Sequence, residues 1–252
     1  MVNSINQLLN ATPQLWKGRQ SSRGQRALPT GHAHLDRQLP GNGWPRGAMT
    51  ELMTRKPGMG EFSLLFPALA DTGRQGQWVI LVDPPWIPYP ATLGGHGLLL
   101  ERLLLVRTGG GKQSLWACEQ ALRSGRGGAV LAWPERISFS RLRRLQIAAE
   151  SSSKLAFLFR PENAGRESSP AALRLKLGPG GRNGVQVDIL KCRGSRPAEP
   201  VTIPHFFSAY GKQQCQTHFH AALTEHNIHT ALAGSALSAA GAGPAQPRPK
   251  RH

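Results

Sequence analysis

Residues 48–72 read AMTELMTRKPGMGEFSLLFPALADT. The first seven alternate well enough to be a strand, and residues 64–72 read as a helix. Between them runs Thr54-Arg55-Lys56-Pro57-Gly58-Met59-Gly60-Glu61-Phe62-Ser63, in the position of a phosphate-binding loop. A working loop of that kind reads G-x-x-x-x-G-K-[ST]. Its backbone N–H groups wrap the phosphates, the Lys balances their charge, and the Ser or Thr holds magnesium. Here Gly60 matches the second glycine, but Glu61 stands in place of the Lys and Phe62 in place of the Ser or Thr. A carboxylate at this point would repel phosphates, and the magnesium ligand is missing. Gly58, Gly60, Glu61 and Phe62 therefore read as a degenerate phosphate loop, and nucleotide hydrolysis is not expected.

The strand-and-helix rhythm continues on both sides. Upstream, residues 31–39 read as a short helix and 40–47 as a turn-rich loop. Downstream, the apolar runs 78–82 (WVILV), 103–106 (LLLV), 129–133 (AVLAW) and 155–159 (LAFLF) read as strands buried on both faces. A helix over 114–124 is expected, with Ser114 as N-cap and Gly125 as a left-handed C-cap. A second opens at Ser138 or Ser140 and runs to Glu150, with Leu142, Leu145 and Ala149 on one face and Arg141 and Arg144 on the other. Strands alternating with helices imply an α/β fold with a mainly parallel sheet. After Pro170, the short alternating runs 172–177 and 185–191 flank a glycine-rich tip and read as a β-hairpin. Beyond residue 196 no strong periodicity survives. The expected organisation is a flexible arm over 1–26, one domain over 27–196, and an irregular to disordered basic tail over 197–252. Within the arm, Leu8, Leu9, Leu15 and Trp16 could bury on a partner.

The chain has 252 residues and a formal charge of +17, from 31 Lys+Arg against 14 Asp+Glu. That excess points to a polyanionic partner such as DNA, or to an arginine-rich but ordinary surface. Arg141, Arg143 and Arg144 on one helix, and Lys191, Arg193 and Arg196 after the last hairpin strand, are the candidate DNA or partner contacts. A solvated basic face is the alternative reading. Aromatic residues make up only 6%, which argues against a single-strand stacking platform. No apolar run reaches the roughly 18 residues that a membrane span needs, and the start lacks a signal-peptide pattern. Three scattered cysteines do not make a disulfide framework, so a cytoplasmic location is expected. Cys215, His218, His220, His226 and His229 invite a zinc hypothesis, but with a single Cys and no framing fold an unconstrained polar tail is the expected reading. No metal or other cofactor is expected.

A family resemblance rests on several segments in one order. Residues 28–36 (LPTGHAHLD), 39–47 (LPGNGWPRG) and Thr50-Glu51-Leu52 resemble the lead-in to the phosphate loop of RecA. They are closer still to the ImuA family, RecA-like proteins associated with translesion DNA synthesis. Further likeness lies at 84–91 (PPWIPYPA), 115–125 (LWACEQALRSG), 130–134 (VLAWP), 142–150 (LRRLQIAAE), 159–161 (FRP), 169–175 (SPAALRL) and 190–194 (LKCRG). Coverage is roughly residues 27 to 194. The later segments also resemble the SulA family of SOS-induced division inhibitors, which are shorter and lack the lead-in.

The resemblance implies a RecA-like core and a role in the response to DNA damage. The ImuA reading is the expected one, with the SulA reading as its alternative. It implies a non-catalytic accessory protein that assembles an error-prone polymerase complex in SOS-induced translesion synthesis. The implied partners are an ImuB-like inactive relative of Y-family polymerases and an error-prone C-family polymerase, with RecA and DNA as further candidate contacts. The SulA reading implies the tubulin-like division protein. RecA-like ATPases carry further acids, and these are absent at the matching places. Asp83 is followed by Pro84, Pro85 and Trp86 with no Glu, and Trp133-Pro134 ends the strand where a magnesium-binding acid belongs. Glu135 is the nearest carboxylate, read as a solvated or capping residue. Three losses together imply a scaffold rather than an enzyme.

Overall fold

Uninterrupted apolar runs cannot face water on either side, so they must lie inside a sheet covered on both faces. The computed structural model, which describes residues 27–58, 60–125, 127–134, 136–181, 184–193 and 199–204, has that arrangement for 78–82, 129–132 and 155–159, whereas 103–106 is an edge strand and only half-buried. Its strands are β1 (Ala27–Leu28), β2 (Trp44–Pro45), β3 (Ala48–Thr54), β4 (Trp78–Val82), β5 (Leu103–Val106), β6 (Gly127–Ala132), β7 (Leu155–Pro161), β8 (Leu173–Pro179), β9 (Gly184–Cys192) and β10 (Val201–Pro204). The helices are α1 (Ala33–Asp36), α2 (Glu61–Arg74), α3 (Pro90–Gly95), α4 (Gly111–Arg123) and α5 (Phe139–Glu150). Eight strands form one sheet in the order β10-β9-β8-β3-β7-β6-β4-β5, and β1 pairs with β2 separately. From β8 to β5 all neighbours are parallel; β9 runs antiparallel to both β8 and β10. This is the mainly parallel α/β core, with its C-terminal hairpin, that the sequence rhythm implies.

Period-two alternation divides each central strand between two cores. Val79, Leu81, Ala129, Leu131, Phe157 and Phe159 pack with α2 on one face. Ile80, Val82, Val130, Ala132, Ala156 and Leu158 pack with α4 and α5 on the other. On α5 the buried residues include Leu142, Leu145 and Ala149, as helical spacing requires.

Several boundaries differ from the sequence reading, each for a physical reason. The helix expected over 31–39 shrinks to α1. Gly31 takes φ +83 and lies so close to Pro67 that an added Cβ would sit 2.3 Å from the Pro67 Cβ, and Thr30 N–H donates to Asp36 Oδ1 at 2.8 Å. Helix α2 begins three residues before Leu64, because Gly60 can adopt the left-handed N-cap conformation. Helix α4 also begins three residues early, at Gly111, so Ser114 is not its N-cap but a buried residue inside the helix. Its other end leaves through Ser124 in an extended conformation, so Gly125 is not a left-handed cap. Lys154 does that work instead: its ammonium donates to the carbonyls of Ala121 (3.0 Å), Leu122 (2.6 Å) and Ser124. A cation there complements the negative end of the helix. The sheet also runs past residue 196, since β10 pairs Val201 with Val187 and Ile203 with Val185. Four residues are too few for periodicity to register, but Val201 and Ile203 find a covered edge and are buried.

His32 links the start of the domain to α2, its Nε2–H donating to the Leu64 carbonyl at 3.2 Å. Burial pushes its pKa below the ordinary 6.5, and burial does the same to His96, which stacks on Phe66 at 4.1 Å. Both are therefore neutral in the fold at neutral pH, while the unfolded chain takes up protons more readily. Their contribution is complete above about pH 6.5 and is lost as pH falls toward the folded values. A urea midpoint should thus decline as buffers go from about pH 7.5 to about pH 5.5. His32→Gln should flatten part of that decline; a midpoint that rises on acidification contradicts this account.

Candidate functional site

In open parallel sheets ligands bind beyond the carboxyl ends of the strands. The degenerate loop lies at that end, between β3 and α2. Two glycines supply its left-handed backbone, Gly58 at φ +87 and Gly60 at φ +92. Met59 between them lies outside the described residues. The Glu61 side chain does not project toward an incoming phosphate. It is buried and turns back on its own loop, where Oε1 accepts the Gly58 N–H at 2.6 Å. An internal carboxylate thus takes a backbone donor of the kind that a phosphate would use, and the helix N-terminus favours its charge.

Phe62, in the place of the magnesium ligand, turns into an aromatic cluster. Its ring lies nearly parallel to Trp133 (6.1 Å, 19°) and to Phe159 (6.4 Å, 16°). Trp133 and Phe159 stack at 4.4 Å and 3°. Trp133 follows β6, where the magnesium-binding acid was missing from the sequence, and Phe159 lies near the end of β7. Rings from three parts of the chain thus fill one place beside the loop. Glu135 lies outside the described residues.

Asp83 has a structural partner. It adopts φ +47 after β4, and its carboxylate accepts the Thr108 N–H at 2.7 Å and the Thr108 hydroxyl at 2.5 Å. Burial acts to raise its pKa, but these Thr108 bonds outweigh it and hold the carboxyl below the ordinary range. The bonds tie the loop after β4 to the loop after β5.

The two basic groups do not form one surface. Arg144, exposed on α5, pairs with Glu119 of α4 at 2.7 Å, and Glu119 also holds Arg123 at 3.0 Å. Arg141 and Arg143 sit on the same helix without an ion pair among the described residues. Lys191 and Arg193 lie at the far end of β9, beside the start of β8 and so at the opposite end of the sheet from the loop. Lys191 donates to the Ser169 carbonyl at 2.8 Å. Arg196 lies outside the described residues, as do the arm over 1–26 and the Cys215–His229 stretch. Also at the opposite end is a polar cavity of about 740 Å³ lined by Arg46, Arg123, Lys154 and serines.

Two features escaped the sequence reading. One is a buried cluster of Glu51, Arg160 and Arg174 on three adjacent strands. Arg160 ends the apolar run 155–159, and Glu51 and Arg174 sit in alternating strands, so residue type gave no sign that the three are buried together. The other is exposure at residues 84–90, where Trp86, Ile87 and Tyr89 are 67%, 70% and 65% exposed. Apolar character alone would have placed them inside.

The chemistry on offer is limited. Among the described residues no group of three His, Cys, Asp or Glu is placed to hold a metal ion. Cys118 is buried and its pKa is pushed up to about 12, so it is no nucleophile. No helix among them is long and apolar enough to cross a membrane.

No family model matches the chain. It is similar to proteins named cell division inhibitor SulA. It is 31% identical to that of Photorhabdus laumondii over 114 residues, covering 45% of this chain and 64% of the relative. It is 30% identical to that of Pectobacterium atrosepticum over 121 residues, 45% of this chain and 68% of the relative. With the Serratia marcescens protein it shares 30% identity over 131 residues, 51% of this chain and 74% of the relative. The chain thus spans less than two thirds of the Photorhabdus relative, and about half of the chain lies outside these matches.

Proposed function

Because the chain belongs to the SulA family, we propose that it is a non-catalytic docking protein of the DNA-damage response, restraining division by binding the tubulin-like division protein. The observation that supports a docking role over catalysis is the closed loop. Glu61 occupies the Gly58 amide, and Phe62 packs with Trp133 and Phe159 beside it. A nucleotide would have to displace both, against a buried like charge. A fold shared with ATPases does not bring their activity.

The test is expression of the full chain in cells with undamaged DNA. Long, unseptated filaments are expected. Normal septation at full expression rejects the division reading. The purified chain should not hydrolyse ATP above a blank; turnover that disappears in Glu61→Gln rejects the non-catalytic reading.

One observation favours a second reading, an ImuA-like accessory role in translesion synthesis. The lead-in over 28–52 is built into the fold, with Leu35, Trp44 and Leu52 fully buried, and it resembles ImuA and RecA. Under this reading the partners are the inactive Y-family relative, the error-prone C-family polymerase and RecA. Deleting the gene should then abolish damage-induced mutagenesis and leave septation after damage unaltered.

A further inference from the structure

We infer that residues 84–90 form the docking surface of this protein, and that its partner is an acidic protein surface with apolar pockets. The inference rests on the docking role proposed above and deepens it. Four prolines (Pro84, Pro85, Pro88 and Pro90) restrict the backbone of this segment. Between them Trp86, Ile87 and Tyr89 remain about two-thirds exposed. Large apolar side chains this exposed, in one short segment, mark an interaction site. The base is rigid on both sides: Asp83 is bound to Thr108, and Leu93 of α3 is buried in the core. A segment held stiff before binding loses little entropy when it docks.

The rim identifies the partner's charge. Val82 is in register with Val106 of β5 and Ala132 of β6, so the three following loops leave the sheet side by side. With strand spacing of about 4.8 Å, they span about 10 Å. Those loops and the start of α4 present Arg107, Lys112 and Arg136, all exposed and without an ion pair among the described residues. Against them, among the described residues of these loops, stands Asp83, already bound to Thr108. A basic rim around an apolar centre complements an acidic protein surface. Nucleic acid shares the charge preference and could stack on Trp86 and Tyr89. The prolines and the aliphatic Ile87 between those rings suit an apolar protein pocket better than a row of bases, and a nucleic-acid adduct is one outcome of the test below.

The test places a photo-crosslinking phenylalanine analogue at Ile87 of the full chain in DNA-damaged cells. The same analogue at Ile147, 51% exposed on α5, is the control. The expected result is an adduct from position 87 and not 147, with the crosslinked peptide sequenced and found acidic. Trp86→Ala should reduce its yield about tenfold or more, as loss of a central aromatic anchor does. The double charge reversal Arg107→Glu with Lys112→Glu should do the same in a chain whose urea midpoint is unchanged. Equal adducts from both positions, a basic or neutral peptide, a nucleic-acid adduct, or no adduct from position 87 overturns the inference. If the partner is the tubulin-like division protein, both proposals stand. If it is another acidic protein, the surface stands and the division reading falls.

Discussion

Glu51→Gln is expected to cost the fold about 3–5 kcal/mol, the range for removing one partner of a buried ion pair. Glu51 lies mid-strand in β3 with no exposed surface. Its Oε1 accepts from Arg160 Nη1 at 3.1 Å and its Oε2 from Arg174 Nε at 2.6 Å. Both guanidinium groups are buried. Arg174 also donates to the carbonyls of Ala164, Gly165 and Glu167, and Arg160 pairs with Glu167 at 2.7 Å. Glu51 is thus the shared countercharge of two arginines that tie β3, β7, β8 and the turn over 162–166 together. Glutamine keeps the shape and removes the charge, so the cost is electrostatic rather than one of packing. Urea unfolding measures it directly. The control is Arg55→Gln, which breaks an ion pair with Glu162 whose Arg side chain is 78% exposed; that midpoint should stay in place. Equal midpoints for the two variants contradict the role given to Glu51.

Trp44→Ala should destabilise by a similar amount, about 3–5 kcal/mol, through lost burial and the cavity left behind. Trp44 is fully buried and meets the Phe157 ring edge to face at 5.2 Å and 89°. It reaches Phe157 because β2 pairs with β1, Leu28 opposite Trp44. Gly43 permits that pairing, since a Cβ there would lie 2.2 Å from the Leu28 carbonyl oxygen. Trp44→Phe keeps part of the ring and should recover part of the loss. The same urea series is the measurement. A loss below about 1 kcal/mol would mean that the lead-in merely leans on the sheet. A large loss means that segment 28–52, which carries the ImuA resemblance, cannot be removed without unfolding the core.

The alternation of apolar runs with helices determined the α/β class, because a run buried on both faces has no other stable home than a covered parallel sheet. The bounds of the strands at 48–54, 78–82 and 103–106 were legible to the residue, the first from alternation and the others from their apolar runs, although 103–106 lies at the sheet edge and is only half-buried. Also legible from residue type alone was that Glu61 and Phe62 depart from the G-x-x-x-x-G-K-[ST] pattern. Helix starts were not, since Gly60 and Gly110 set them through left-handed backbone angles that glycine can take but that residue type alone does not specify. Nor was β10, whose four residues hold their place only because β9 offers an edge. What only the tertiary structure decided was where these residues turn. Glu61 folds back onto Gly58, Phe62 joins the rings of Phe159 in β7 and of Trp133 just after β6, and Glu51 meets arginines more than a hundred positions away. Trp86, Ile87 and Tyr89 stand in solvent in the fold, which their residue types do not announce. Local pattern reports the period of burial; it carries no information about which neighbours the sheet order brings to one end, and the chemistry of this site consists of those neighbours.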